Sequence, residues 1–283
     1  MKACLLIRSI ACIFALGAAF HADPAERVAR DTGAIAGITA APGVAYTVFA
    51  ANLSGPRGLL ANQDGSVSVA EETAGRVVKI TSAGRIVEIA SGLKDPKDLE
   101  SDAHGNLYVV EAGRSRIARI TPKGVVRSYI EGLNAPVDLA FNPQGELLVC
   151  EFLGERVIAF KSPTERRVLI SGFRAHGLAF PRSGGTIVND ITGSRVIRLS
   201  PDGKVDVIAA KIELPIGVVI GPSGDLYVAA RNAGQLLRIT LSGKRTVLLD
   251  GLKTPRDPVF DAMGNLYVAE SDAGRVLKLT GRF

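Results

Sequence analysis

Apolar residues fall in short runs along most of the chain, each bounded by polar turns that carry glycine. LYVVE (107–111), LYVAA (226–230) and LYVAE (266–270) each follow such a turn. The turn glycines are Gly65, Gly105, Gly145, Gly184, Gly224 and Gly264, spaced 40, 40, 39, 40 and 40 residues apart. A second marker lies upstream at Pro56, Pro96, Pro136, His176, Pro215 and Pro255, each leading into a short apolar run. A third lies downstream at Arg76, Arg116, Arg156, Arg195, Gln235 and Arg275. Six copies in register at three markers define an internal repeat.

Each copy parses into four strands. In the second copy they are predicted at 98–101, 107–111, 116–120 and 125–130, with turns at 102–105 and 121–124. Short β-rich runs separated by glycine turns are hairpin signals. Four strands per forty residues, six times over, predict an all-β, six-bladed β-propeller with four-stranded antiparallel blades. The sixth copy stops at Phe283, before its fourth strand, while residues 45–50 match the fourth-strand segment of the other copies. That orphan strand is expected to complete the last blade and close the ring, which removes an open sheet edge. The propeller is therefore assigned to residues 44–283.

The first 22 residues have a different pattern. Lys2 and Arg8 precede or open an acid-free apolar stretch from Ser9 to Phe20, and Gly17-Ala18-Ala19 offers small residues for cleavage. This is the signature of a signal peptide, and the apolar run is short for a membrane span. An exported protein, periplasmic or extracellular, is expected. Residues 23–43 read as a linker, with Asp23-Pro24 marking the start of a short helix near 24–30.

Composition then narrows the picture. The chain has 283 residues, 31 Gly, no Trp and a formal charge of +6. The glycines are the turns of the repeat, and the missing Trp excludes the Trp-Asp type of propeller repeat. Loss of residues 1–22 would remove two positive charges and no acid, leaving 6 − 2 = +4. With so few aromatics, that balance does not point to nucleic acid. It would also remove Cys4 and Cys12, so Cys150 alone remains, no internal disulfide can form, and packing must hold the fold. Cys150, in LLVCE, reads as a small core residue rather than a nucleophile. A monomer is expected.

Charged positions divide into two groups. Glu71, Glu111, Glu151, Asp190, Ala230 and Glu270 end the second strands; Arg76, Arg116, Arg156, Arg195, Gln235 and Arg275 open the third. The fifth copy loses acid and base together, as partners would, so these ten charges read as a structural clamp. The second group breaks the repeat. The residues opening each first strand are Arg57-Gly58, Lys97-Asp98, Val137-Asp138, His176-Gly177, Ile216-Gly217 and Arg256-Asp257. They converge on one end of the central channel. Blades six, one and two place Arg256, Arg57 and Lys97 in a basic arc interleaved with Asp257, Asp98 and Asp138, and His176 stands across from it. The ligand-binding candidates are therefore Arg57, Lys97, Asp98, Asp138, His176, Arg256 and Asp257, suited to a small polar or anionic ligand. A protein partner could use the same mouth, with Phe152-Leu153 on its rim. His176 is the one candidate catalytic residue, as a general base.

Pro-x-Gly-Leu (56–59), Gly-Asn-Leu-Tyr-Val-x-Glu (105–111 and 264–270) and the Arg-Ile or Arg-Val that opens third strands resemble the NHL-type repeat. The chain is also similar to the SMP-30/gluconolactonase superfamily of six-bladed propellers. The resemblance implies an NHL-type binding module, or alternatively a metal-dependent hydrolase of lactonase type with a divalent cation, calcium for example, in the channel. In such hydrolases an Asp in a Pro-Asp-Gly segment helps hold that cation. Here Pro56-Arg57-Gly58 and Pro215-Ile216-Gly217 put Arg and Ile at that position, so the usual ligand positions are not matched. A cation site is rebuilt only if Asp98, Asp138 and Asp257 turn inward. Streptogramin-lyase-like propellers use several His residues, which this mouth lacks; a quinone-dependent dehydrogenase propeller could hold an anionic cofactor on the basic arc.

Overall fold

The structure is a computed structural model that describes residues 35–281. The signal peptide and the helix near 24–30 lie outside the described residues. Six antiparallel sheets are arranged as blades, five of four strands and one of five, and the strands of each repeat copy run outward from the channel in chain order. Their innermost strands are Pro56–Ala61, Pro96–Ser101, Pro136–Phe141, Ala175–Ala179, Pro215–Ile220 and Pro255–Phe260. Successive innermost strands touch, including the last against the first, so the sheets close into a ring. No described helix is long and apolar enough to cross a membrane.

Ring closure follows the expected route. Val44–Ala50 pairs antiparallel with Arg275–Gly281, so the first strand of the propeller supplies the outer strand of the last blade. Part of the stretch read as a linker is also ordered against the sheet. Thr39–Ala40 pairs with Asp250 and Leu249 as a fifth strand on blade five. Ile38 is buried there, and the Tyr46 hydroxyl donates to its carbonyl.

The core lies between blades. Second strands are buried along their whole length because both faces are covered by neighbouring blades. That is why they read as continuous apolar runs rather than alternating ones. Aromatics meet edge to face in this core, as in Phe49–Tyr267 and Tyr227–Phe260, with centroids 4.9 and 4.8 Å apart.

The repeated acids and arginines stand opposite one another in register, Glu71 to Arg76, Glu111 to Arg116, Glu151 to Arg156, Asp190 to Arg195 and Glu270 to Arg275. Each Arg Nε donates to its carboxylate. The second carboxylate oxygen of each Glu accepts a backbone N–H from the linker entering the same blade, Ser54, Lys94, Asn134 or Lys253. Asp190 is one methylene shorter; it binds Gly193 N–H in its own turn, and the Thr192 hydroxyl takes the linker amide of Arg174 instead. The clamp thus fixes where each innermost strand begins, and hence where the mouth residues lie.

Candidate functional site at the channel mouth

Every innermost strand opens with a break in its ladder. Register shifts occur between Pro56 and Leu59, Pro96 and Leu99, Pro136 and Asp138, His176 and Leu178, Pro215 and Val218, and Pro255 and Pro258. Bulges of this kind release residues from strand pairing and re-aim their side chains. Proline helps, because it brings no N–H to the ladder. The released residues gather at one end of the channel. Arg57, Lys97, Asp98, Asp138, His176, Arg256 and Asp257 all line a single cavity there, with Gly58, Val137 and Ile216. The cavity is small, about 10 Å³, or room for roughly one water.

The acids form the lower tier and act as staples between blades. Asp98 accepts Leu139 N–H from blade three at 3.1 Å. Asp138 accepts Gly177 and Leu178 N–H from blade four, and Asp257 accepts Leu59 N–H from blade one. Glycines make this possible. A Cβ on Gly58 would lie 2.6 Å from Asp98 Cα, and one on Gly217 would lie 2.6 Å from Pro258 Cδ. Because blade one presents only Gly58, Asp98 and Asp257 from the blades on either side meet and hydrogen-bond each other. Burial first, and then the neighbouring carboxylate, hold Asp98 well above the ordinary carboxylate range. The same two causes raise Asp138, with Asp98 as its neighbour, and push Asp257 to about 7, with Asp138 as its neighbour. Two hydrogen-bonded carboxyls in such a place share a proton.

The cations form the upper tier, and only part of it is neutralised. Arg57 donates to Glu72 at 2.7 Å, while Lys97 reaches Glu72 at 2.5 Å and also Asp95. Arg57 and Lys97 pull Glu72 down to about 2 against its own desolvation. The partner of the arc is therefore Glu72, not the interleaved aspartates. Arg256 is 8% exposed, and its hydrogen bond runs to the Ser271 hydroxyl at 3.1 Å. Among the described residues it has no carboxylate within ion-pair distance. Burial, then Arg57 and Arg231, lower its guanidinium to about 9.

His176 is 6% exposed, with Nδ1 3.8 Å from Asp138 Oδ2 and accepting Gly177 N–H at 3.1 Å. Burial and then Arg57, Arg256 and Lys97 keep it neutral, well below the usual imidazole range. The Gly177 N–H that meets Nδ1 is also within reach of Asp138, and the lowered imidazole is a weak base. Cys150 is wholly buried and its thiol is pushed well up by burial. On the rim, Leu153 is 60% exposed and the Arg174 guanidinium stands 5.1 Å above the Phe152 ring.

Glu72 and Arg231 were not among the sequence candidates. Both directly follow the clamp position, where the copies read Glu72, Ala112, Phe152, Ile191, Arg231 and Ser271. That column varies as freely as the first-strand positions, and this variation was the available signal.

The donor set does not suit a divalent cation. The three aspartates spend their oxygens on backbone N–H groups and on each other, and four cationic side chains, Arg57, Lys97, Arg231 and Arg256, are close enough to act on His176. Among the described residues, no group of three His, Cys, Asp or Glu side chains could hold a metal ion. Hard cations need several converging oxygens.

No protein-family model matches the chain, and no curated protein matches it. Solved structures do. A gluconolactonase from Xanthomonas campestris has a TM-score of 0.77 at 16% identity, over 93% of this chain and 96% of that one. Virginiamycin B lyase from Staphylococcus aureus has a TM-score of 0.63 at 17% identity, over 86% and 99%. The PQQ-bound form of an aldose sugar dehydrogenase from Streptomyces coelicolor has a TM-score of 0.70 at 17% identity, over 86% and 100%. A lactonase, a lyase and a dehydrogenase on one scaffold do not select a chemistry. What this chain shares with all three is the six-bladed propeller fold.

Proposed function

We propose that the protein is an exported binding module whose channel mouth holds the anionic group of a small polar ligand. The observation that carries this reading is Arg256. A guanidinium that is buried, has no carboxylate within ion-pair distance among the described residues and is lowered by burial and two neighbouring arginines calls for a closer counter-charge than Glu72 and Asp272 provide. A carboxylate would supply it, and Arg57 is beside it to share the load. The mouth admits only the charged head, so the body of the ligand stays above the rim. Export rests on the pattern of residues 1–22.

The test compares D-gluconate with sorbitol, its uncharged counterpart, by calorimetry on the wild type and on Arg256→Ala. Gluconate should bind, sorbitol should not, and the substitution should weaken gluconate by about ten-fold or more, the worth of a charge-assisted hydrogen bond. Equal binding of both compounds, or no loss in Arg256→Ala, would refute the reading.

A second reading, a lactone hydrolase, is favoured by one observation: Asp98 and Asp257 share a proton in a cleft, and Asp257 is held near 7, where acid–base catalysts operate. Against it, both carboxyls are tied to backbone amides, and burial and the nearby cations make His176 a weak base.

A further inference from the structure

We infer that the cleft between blades five and six is a second anion subsite, so that the ligand of the mouth carries two negatively charged groups on a polar skeleton. This inference rests on the mouth being an anion site. The cleft is an open depression of about 400 Å³ between the turn Arg231 to Gly234, the linker Gly251 to Thr254, and Asp272. That is the size of a small-molecule site.

Its position ties it to the mouth. Arg256 lines the mouth and donates to Ser271, and the next residue, Asp272, lines the cleft, with Arg231 on the opposite wall. A ligand whose first carboxylate sits against Arg256 continues outward past Arg231 into the cleft.

Its chemistry calls for a second anion. Arg231 is half-buried, Lys253 is exposed, and among the described residues neither has a carboxylate within ion-pair distance. The one acid of the lining, Asp272, accepts the Thr254 hydroxyl. Asn232 and the linker backbone add polar groups, no aromatic ring is present, and the apolar Leu252 is buried. Such walls suit hydroxyls and charge, not a hydrophobic body.

The test sets D-glucarate against D-gluconate, the same six-carbon skeleton with and without the second carboxylate, by calorimetry on the full chain. Glucarate should bind about ten-fold more tightly, the value of one added charge-assisted contact. Lys253→Gln, a change at an exposed side chain, should bring glucarate down to the gluconate level and leave gluconate unchanged. Arg256→Ala should weaken both acids. Equal affinities in the wild type, or an equal loss of both acids in Lys253→Gln, would overturn the second subsite while the mouth reading stands. Failure of both acids to bind would overturn the mouth and the cleft together.

Discussion

Blade five is a natural test of the clamp, because it carries Ala230 opposite Gln235 where other blades carry acid and arginine. Moving that pair into blade three should reveal how the clamp works. Glu151 is wholly buried, receives Arg156 Nε at 2.5 Å and Asn134 N–H at 2.8 Å, and faces an arginine that is 36% exposed. Glu151→Ala removes two charge-assisted bonds of about 1.5–3 kcal/mol each, partly offset because Arg156 can turn to water. We expect a loss of about 3 kcal/mol. Arg156→Gln leaves the carboxylate buried with one backbone donor, a situation worth about 3–5 kcal/mol, eased by whatever bond the Gln amide makes. We expect about 2–3 kcal/mol. The double variant has no charge left to strand, so it should cost little more than Glu151→Ala alone. The coupling is then about 2 kcal/mol. For a chain of this size, about 3 kcal/mol lowers Tm by roughly 6–12 °C. Urea unfolding of the four proteins measures the cycle. Additive losses, with the double variant near 5–6 kcal/mol, would refute the clamp as a coupled unit.

Three further predictions concern the mouth. Asp98, Asp138 and Asp257 hold protons in the native state that the unfolded chain releases, so stability should fall as pH rises from about 4 towards 7, and Asp257→Asn should flatten that fall; a slope unchanged in the variant, measured by Tm against pH, would contradict the shared-proton arrangement. Glu72 works the other way: its carboxyl is depressed from 4.5 to about 2, and its contribution is present above 4.5 and lost as pH falls between those values. Calcium or zinc chloride should leave Tm unchanged, since no set of oxygens converges; a rise abolished by Asp138→Asn would reinstate a cation site.

The repeat was legible because its markers are spacing, not chemistry. A glycine turn every forty residues and a proline at the head of five of the six innermost strands report backbone geometry directly. Ring closure was legible from a length mismatch, a missing strand at one end and a spare one at the other. The site was legible only as a set of positions. The columns that break the repeat could be read off, but the partners within them could not. Arg57 has Asp98 and Asp257 close by in the ring, yet its carboxylate is Glu72, because those aspartates point down to the backbone of the next blade. Choosing between such partners needs side-chain direction, which spacing does not carry. Thr39–Ala40 is a similar case: two residues beside a glycine are too short for a strand pattern, and only the open edge of blade five makes them one.

Much of the mouth's chemistry comes from what is absent from it. Gly58 lets two aspartates meet, and their shared proton removes one negative charge that would otherwise offset the arginines. Ala230 and Gln235 take away a clamp, so Arg231, the next residue after Ala230, stands beside no repeat carboxylate. Ser271 is too short and neutral to serve Arg256 as Glu72 serves Arg57. Each of these is a small or uncharged residue in a column where another blade has a charged one. Together they leave Arg231 and Arg256 without a direct ion pair among the described residues, while Arg57 and Lys97 are paired with Glu72 and Asp95. If anion binding required only a basic surface, substitutions at Lys97 and Arg256 would weaken it alike. The arrangement implies that they differ: Lys97 already has two acids, and its loss should cost far less than the loss of Arg256.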